Sequence, residues 1–307
     1  MNLMKKIFKN PQRIILYFMS LGCFNFLSDM NFLKLKYILI FKRKLNLNNP
    51  KTFNEKLQWL KLYDRKKEYI SMVDKYEVKK YVIEKIGREY VIEIFGIYNN
   101  WNEINFEKMP NKFVIKCTHD SGGVIICKDK SCFNYDEAKK KINKFLKRNY
   151  YWSGREWPYK NINPRIIVEE YIENKSEGEL NDYKFFCFNG IPKIILVCSE
   201  RFSSNNMCET WFDENWKFLD IIESGHRIDK KIKKPQNFEK MKELSKKLSE
   251  NIPFVRVDFY EVGGKIFFGE LTFYPASGFE KFEPKEWDRK LGEMIDLSKI
   301  KEENNEK

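Results

Sequence analysis

Four polar residues stand out for the company they keep. Arg256, Asp258, Glu270 and Thr272 lie within two aromatic and β-branched runs, 254–260 and 266–273. A Gly263-Gly264 pair between the runs reads as the turn of a hairpin. Side chains alternate along a strand, so Arg256, Asp258 and Tyr260 share one face, opposite Val255, Val257 and Phe259. On the second run Ile266, Phe268, Glu270 and Thr272 share a face. Charges amid so much apolar surface are costly unless they are paired or bind a metal. Two carboxylates and a hydroxyl converging from neighbouring strands make an oxygen-only site suited to Mg²⁺ held with phosphates.

Register decides whether they converge. A two-residue loop at Gly263-Gly264 sets Asp258 opposite Gly269 and sends Glu270 to the other face. A three-residue loop including Lys265 sets Asp258 opposite Glu270. A metal site therefore needs an odd loop or a bulge. The competing reading is an ordinary hairpin in which Arg256 pairs with Asp258 or Glu270. If the metal reading holds, Asp258→Asn and Glu270→Gln each remove a ligand without changing volume. Each is then expected to abolish turnover and spare the fold.

A second group lies upstream. Lys116 ends the strand-like run 113–118, and His119-Asp120-Ser121-Gly122-Gly123 follows before strand 124–128. A glycine-rich strand–turn–strand lets backbone N–H groups approach phosphate oxygens, with a lysine supplying charge. It is neither a Walker loop nor a dinucleotide fingerprint, because no helix opens at the glycines. A plain hairpin turn is the other reading of the same residues. Further on, Glu169, Glu170, Tyr171 and Ile172 end a strand, and Asp182 and Lys184 begin the next.

The elements that would position these groups are legible. Residues 1–47 read as a helical lead-in, and Thr52 with Glu55 forms a capping box for a helix through about Asp64. A helix is expected from Met72 to Ile86, stopped by Gly87, with strands near 90–98 and 166–172. A basic amphipathic helix is expected at 136–149 and another helix at 236–250. Residues 150–164 form an aromatic loop and 174–181 a Gly/Ser/Asn-rich connection. An Asn189-Gly190 turn joins strands 182–188 and 191–198. The tail from Lys299 reads as frayed. Mixed strand pairs with interspersed helices indicate an α+β fold.

Composition sets outer bounds. A chain of 307 residues that is 42% hydrophobic and 16% aromatic is globular, not disordered. Its net charge of +13 suits an anionic partner, or else a lysine-rich composition spread over solvated faces. The seven cysteines contain no CxxC pair and there are two histidines, which argues against zinc and for a reducing interior. Residues 14–27 are apolar but interrupted and too short to span a bilayer. Peripheral membrane contact through this basic, aromatic N-terminus is the most the sequence supports. No helix-turn-helix, zinc-finger or RNP-like pattern marks a nucleic-acid binder.

Taken in order, Lys75, Lys116, the glycine-rich hairpin, Glu169 to Ile172, Asp182, Arg256 with Asp258, and Glu270 with Thr272 resemble the ATP-grasp superfamily. The finer resemblance is to its TupA-like branch, associated with bacterial surface-polysaccharide biosynthesis. It rests on Asn49-Pro50-Lys51-Thr52-Phe53-Asn54-Glu55-Lys56-Leu57-Gln58-Trp59-Leu60-Lys61, Asp74-Lys75-Tyr76, Phe113-Val114-Ile115-Lys116, Asp182-Tyr183-Lys184-Phe185-Phe186, Arg256-Val257-Asp258 and Gly269-Glu270-Leu271-Thr272. It covers roughly residues 45–297.

The resemblance implies two α+β lobes gripping ATP between sheets, with an N-terminal helical extension at 1–47. The ATP-grasp domain would run over 48–298, with a nucleotide-gripping lobe at about 111–200 and a metal-binding lobe at about 201–298. Lys75 and Lys116 would contact phosphates. Ser121, Gly122 and Gly123 would lie in a mobile loop over them. Glu169, Glu170, Tyr171 and Ile172 would frame the adenine, and Asp182 with Lys184 would complete the nucleotide site. Asp258 and Glu270 would bind Mg²⁺, with Thr272 standing where many members carry Asn. Asp120 replaces a loop glycine and brings a carboxylate near the phosphates, to be accommodated if it points outward or meets metal. Lys116 and Arg256 would carry catalysis.

The implied activity is an ATP-dependent carboxylate–amine ligase forming an acyl phosphate. Its partners would be ATP, an anionic sugar or glycan carboxylate such as a uronic acid, and an amine or amino acid. Trp152, Trp157 and Tyr159 could stack on the sugar, with Arg155 or Arg165 on its carboxylate, or simply close a lid over the core. A glycosyltransferase-like assembly protein is the alternative, although the chain offers no DxD motif. A basic nucleic-acid binder stands last. The expected location is the cytoplasm, with contact at the inner membrane face at most peripheral.

Overall fold

Two long runs double back on themselves at residues that tolerate the left-handed region. Asn189 and Gly190 have φ of 51° and 80°, and Gly263 and Gly264 have 55° and 74°. Positive φ at both central positions matches the twist of a two-residue hairpin. The resulting four strands lie side by side in the larger of two main sheets, from one edge inward.

The computed structural model describes residues 11–173, 180–199, 207–223, 226–298, 300 and 302. Its helices are α1 (Pro11–Ser20), α2 (Asp29–Phe41), α3 (Phe53–Tyr63), α4 (Tyr69–Val73), α5 (Val78–Ile86), α6 (Tyr135–Leu146), α7 (Tyr151–Gly154), α8 (Phe238–Leu248) and α9 (Glu286–Glu293). Its strands are β1 (Ile94–Tyr98), β2 (Phe113–Cys117), β3 (Val124–Cys127), β4 (Ile166–Glu170), β5 (Asp182–Phe188), β6 (Ile191–Ser199), β7 (Cys208–Asp213), β8 (Phe218–Leu219), β9 (Ile222–Glu223), β10 (Phe254–Val262), β11 (Lys265–Thr272) and β12 (Phe282–Glu283).

A four-stranded sheet runs β1-β4-β2-β3, a six-stranded sheet runs β11-β10-β5-β6-β7-β8, and β9 pairs with β12. The pairings within them are antiparallel. The small sheet buries Phe113, Ile115, Cys117, Ile166 and Val168 against Ala138 and Ile142 of α6. In the large sheet one face lies under α8, which turns Phe238, Met241, Leu244 and Leu248 inward. Phe238 meets Phe185 there at 5.9 Å between ring centres. The other face is partly covered by α3, whose Phe53 packs on Phe186 and Phe254.

Several expectations need revision. The single helix expected over 72–86 is two, because Asp74 Oδ1 accepts from the N–H groups of Tyr76 at 2.8 Å and Glu77 at 3.0 Å. That side chain offers the backbone an alternative to continuing the first helix. The N-terminal segment is no appendage: Met19, Phe32, Leu33, Tyr37 and Leu39 belong to the large core. The sheets divide between β4 and β5, over 171–181, and not near residue 200, since β5 and β6 pair into the six-stranded sheet. Strands β7 to β9 and helix α9 were not foreseen. The connection at 174–181 and the tail from 299 lie outside the described residues, except for 180, 181, 300 and 302.

The capping box at Thr52 is present, with Glu55 N donating to Thr52 Oγ1 and Thr52 N to Glu55 Oε2. Helix α9 closes over it: Asp288 Oδ1 accepts from both Asn54 N and Asn54 Nδ2. At Gly292 the two segments meet so closely that a Cβ would lie 2.3 Å from Lys51 O and 2.6 Å from Phe53 N. Backbone cannot yield as a side-chain end can. Gly292→Ala is therefore expected to destabilise the fold by about 1–3 kcal/mol in chemical denaturation, the usual penalty of overpacking. An unchanged midpoint would mean that α9 is not seated this tightly.

Candidate functional site

The hairpin of β10 and β11 has both of the features on which its chemistry turns. Its loop has two residues, and its register begins Val262 opposite Lys265 and Phe259 opposite Phe268. Continued without interruption, that register would oppose Asp258 to Gly269 and turn Glu270 away. Instead it shifts between Phe259 and Val257, so that Val257 faces Leu271 and Arg256 faces Thr272. Gly269 and Glu270 together stand against Asp258 in a β-bulge. Glycine suits this place, because a Cβ at 269 would lie 3.1 Å from the Asp258 carbonyl oxygen.

The bulge puts Arg256, Asp258, Glu270 and Thr272 on one side. Arg256 Nε donates to Asp258 Oδ1 at 2.7 Å. Its Nη2 lies 2.6 Å from Asp258 Oδ2, 3.1 Å from Glu270 Oε1 and 3.0 Å from Thr272 Oγ1. A single cationic nitrogen thus marks a point on which three hard oxygens converge. That donor set fits a divalent cation such as Mg²⁺. The ion-pair reading of the hairpin and the oxygen-site reading describe the same atoms.

Strand β5 extends the group. Lys184 lies opposite Asp258 and donates to Asp258 Oδ2 at 2.6 Å and to Asp182 Oδ2 at 2.5 Å. Burial holds the Asp258 carboxyl above its ordinary value, against the pull of Arg256 and Lys184. Desolvation would also raise Glu270, but Lys75, Arg256, Lys184 and Lys116 outweigh it and bring that carboxyl down to about 2. Cations of both sheets and of the α4–α5 connection therefore act on one carboxylate, and Arg256 touches it at 3.1 Å. Asp258 is only 1% exposed at its side chain, whereas Glu270 is 44% exposed. The expectation that Asp258→Asn spares the fold is accordingly revised, since it would leave two buried cations short of a partner.

On the small sheet Lys116 projects opposite Phe113, Ile115 and Cys117, which lie in the core. Its Nζ rests 2.6 Å from Glu169 Oε2, and the other oxygen of Glu169 lies 2.6 Å from Lys79 Nζ. Burial opposes ionisation of Glu169, yet the two lysines bring it down to about 2. Lys79, which the sequence reading missed, sits on α5 beside the large sheet's helices and so ties the two sheets together. Lys75 N donates to Thr118 O, and Lys75 Nζ donates to Asp120 O at 2.9 Å, which fixes the start of the glycine-rich loop.

In that loop Ser121 and Gly122 are exposed, while Gly123 packs on Cys117 and Phe145. The Asp120 carboxylate points neither outward nor toward the oxygen cluster. It accepts from Ser121 N and lies 3.8 Å from Arg148 Nε, with its side chain fully buried. Glu170, Tyr171 and Ile172 stand where the chain leaves the small sheet for the large one.

The aromatic loop is mostly a lid. Arg155, expected at a substrate, is 1% exposed and donates to the carbonyls of Phe24, Asn25 and Leu27, so it clamps the N-terminal helices. Arg165 pairs with Asp74 and Glu77. Trp157 packs on Tyr69 and Tyr159 on Tyr150.

Lys61 was also missed. It is fully buried and donates to Gln58 Oε1, to Gly154 O at 2.7 Å and to Ser277 O at 2.7 Å. Ala276 and Ser277 hold φ of 45° and 55° just beyond β11, a strained turn that Lys61 anchors from below. This turn edges a cavity of about 100 Å³ whose lining includes Lys184, Arg256, Glu209, Glu223 and Glu280. Glu209, Glu223 and His226 could themselves gather round a cation. Burial and its acidic neighbours Glu209 and Glu280 push Glu223 up to about 9.

The family model described as TupA-like ATPgrasp matches residues 55–296. Among solved structures, D-alanine–D-alanine ligase from Bacillus anthracis shares 19% identity, covering 83% of this chain and 73% of its own, with a TM-score of 0.45. The Helicobacter pylori enzyme shares 15% identity over 80% of this chain and 69% of its own, at a TM-score of 0.40. The ATP-grasp ligase PsnB complexed with its minimal precursor shares 8% identity over 70% and 58%, at 0.39. No protein with a curated description matches the sequence.

Glu169 gives a test by pH. A carboxylate held at about 2 instead of its ordinary 4.5 adds stability that is complete above 4.5 and is lost as pH falls toward 2. Glu169→Gln should therefore be about 3 kcal/mol less stable at neutral pH. The gap to the parent chain should close as denaturation is repeated down to pH 2. A gap that stays constant with pH would show that the Lys79–Glu169–Lys116 chain does not hold the sheets together.

Proposed function

Because the chain belongs to the TupA-like ATP-grasp family, we propose that it is an ATP-dependent carboxylate–amine ligase. It is an enzyme of the ATP-grasp ligase kind, and the substrates we assign are a uronic-acid-type carboxylate and an amine or amino acid. The setting we assign is bacterial cell-surface polysaccharide biosynthesis. The observation that carries this reading is the cluster that the bulge assembles: Asp258, Glu270 and Thr272 oxygens converge on Arg256 Nη2, with Lys184 on Asp258 from the neighbouring strand.

ATP would lie between the two sheets, with its adenine at Glu169 to Ile172 and its ribose at Asp182. Ser121, Gly122 and Gly123 would offer N–H groups to the phosphates, with Lys75 and Lys116 supplying charge. Asp258, Glu270 and Thr272 would hold Mg²⁺, which when bound neutralises phosphate charge. A carboxylate oxygen of the acceptor attacks the γ-phosphorus, the bond to ADP breaks, and an acyl phosphate forms. The amine nitrogen then attacks the carbonyl carbon, the phosphate leaves with its bridging oxygen, and the nitrogen loses a proton. Arg256 orients the reacting carboxylate and opposes its growing charge.

The cavity beyond Arg256 supports the carboxylate part of this reading. At about 100 Å³ it is too small for a nucleotide. Lys184 and Arg256 in its lining suit a carboxylate. We place the protein in the cytoplasm, with any membrane contact peripheral at the inner face. Its seven cysteines are all free, as a reducing compartment allows. Among the described residues no helix is long and apolar enough to cross a membrane.

The direct experiment is phosphate release from ATP, screened over uronic acids against amines and amino acids. Release that requires an acid and an amine together is the expected result; no release from any pair would remove the uronic-acid and amine assignment. Glu270→Gln should abolish turnover with a modest loss of melting temperature, because its ion pair with Arg256 is 44% exposed on the Glu270 side, whereas the buried Asp258→Asn should lose both activity and much stability. Lys116→Ala should weaken ATP binding by roughly tenfold or more, the loss of a charge-assisted hydrogen bond of about 1.5–3 kcal/mol. Calorimetry giving parental affinity would take Lys116 out of the phosphate site.

A further inference from the structure

The first helix and the turn after it carry an apolar surface that no described part of the fold covers. Tyr17, Phe18, Leu21 and Phe26 are 54%, 46%, 58% and 80% exposed, although they fall within ten residues of one another. Their neighbours Met19, Phe24 and Leu27 pack inward. The exposed group is therefore the outer side of a segment whose inner side is already seated. Tyr17 and Phe18 touch edge to face, and Phe24 stacks on Phe26.

This surface is joined to a second one. A groove of about 280 Å³ runs between α1 and the start of the aromatic loop, lined by Leu16, Leu21, Lys36, Arg148 and Trp152. Trp152 is itself 36% exposed. The two segments that border the groove share one charge character. Residues 11–28 contain no acidic side chain, and residues 138–155 contain seven basic ones and no acidic one. Lys144, Lys147 and Arg148 are exposed at the end of α6, next to the groove.

Exposed aromatic and leucine side chains rimmed by lysine and arginine, with acidic residues excluded, complement one surface in particular. Aromatic rings favour the boundary between headgroups and acyl chains, and basic side chains favour anionic headgroups. A water-facing role would not need four large apolar groups in ten residues, and contiguous exposed apolar surface marks a contact. We infer that α1, the turn after it and the end of α6 form a docking face for the surface of an anionic phospholipid bilayer. The inference rests on the peripheral placement proposed above and is independent of the ligase chemistry.

Sedimentation with vesicles tests it. The full chain should pellet with vesicles of phosphatidylglycerol and phosphatidylcholine in equal parts, remain in solution with phosphatidylcholine alone, and be released by high salt. Phe18→Ser, Leu21→Ser and Phe26→Ser combined should weaken binding by roughly tenfold or more. Lys144→Glu with Lys147→Glu should weaken it similarly, while both variants keep the parental melting temperature and vesicle-free phosphate release. A parent chain that stays in the supernatant with the anionic vesicles would overturn the proposal. So would apolar and charge variants that pellet as the parent does. Self-association without lipid, abolished by the serine variant, would give the face to a second copy instead. Binding seen only after removal of residues 1–10 would mean that the chain covers its own face. A parent chain that binds the anionic vesicles but releases no phosphate from ATP would count against the ligase reading alone.

Discussion

A carboxylate as deeply enclosed as Asp258 persists only where cations reach it, and here they come from two strands. Arg256 reaches along its own strand and Lys184 reaches across from β5. This requirement fixes the pairing of β5 with β10, since a slip by one residue would carry Lys184 to the opposite face under α8. It also keeps Arg256 beside Asp258, so that the guanidinium can meet Glu270 and Thr272 once the bulge turns them toward it. The polar face of the large sheet is thus one connected set of charges from Asp182 to Glu270. Losing a buried member such as Asp258 or Lys184 strands the rest in a poorly solvated place. The opposite face, with Val255, Val257 and Phe259, carries the ordinary burden of packing.

The second sheet is held to the first by a similar device on a smaller scale. Glu169 is shared by Lys116 of its own sheet and Lys79 of α5. Lys75 secures the glycine-rich loop through the carbonyl of Asp120. Both links run through lysines whose neighbourhood also acts on Glu270, so the position of one sheet bears on the electrostatics of the other.

The N-terminal helices serve this arrangement from the outside. Arg155 ties their connecting turn to the aromatic loop, and Lys61 joins that loop to the strained residues 276 and 277. A buried lysine held by carbonyl oxygens is costly to build, and it sets the shape of the cavity edge beyond Arg256. What was expected to be substrate-facing aromatic surface is largely the covering of this joint.

Local chemistry made much of the protein readable in its sequence. The Thr52–Glu55 cap, the Asn189-Gly190 and Gly263-Gly264 turns, and the alternation that puts Arg256 and Asp258 together each depend on residues near one another in the chain. Ordered motifs indicated the ATP-grasp family before any fold was seen. Strand β7 escaped because five of its six residues are buried, leaving no alternation to detect. Lys61 and Lys79 escaped because a lysine on a helix reads as solvated until its surroundings are known. The same holds for Arg155, whose partners are about 130 residues away. Above all, the two-residue turn at Gly263-Gly264 would by itself have separated Asp258 from Glu270. Only the tertiary structure supplied the bulge that reunites them, because which face a side chain takes depends on pairing with a neighbouring strand, and one residue left unpaired reverses it.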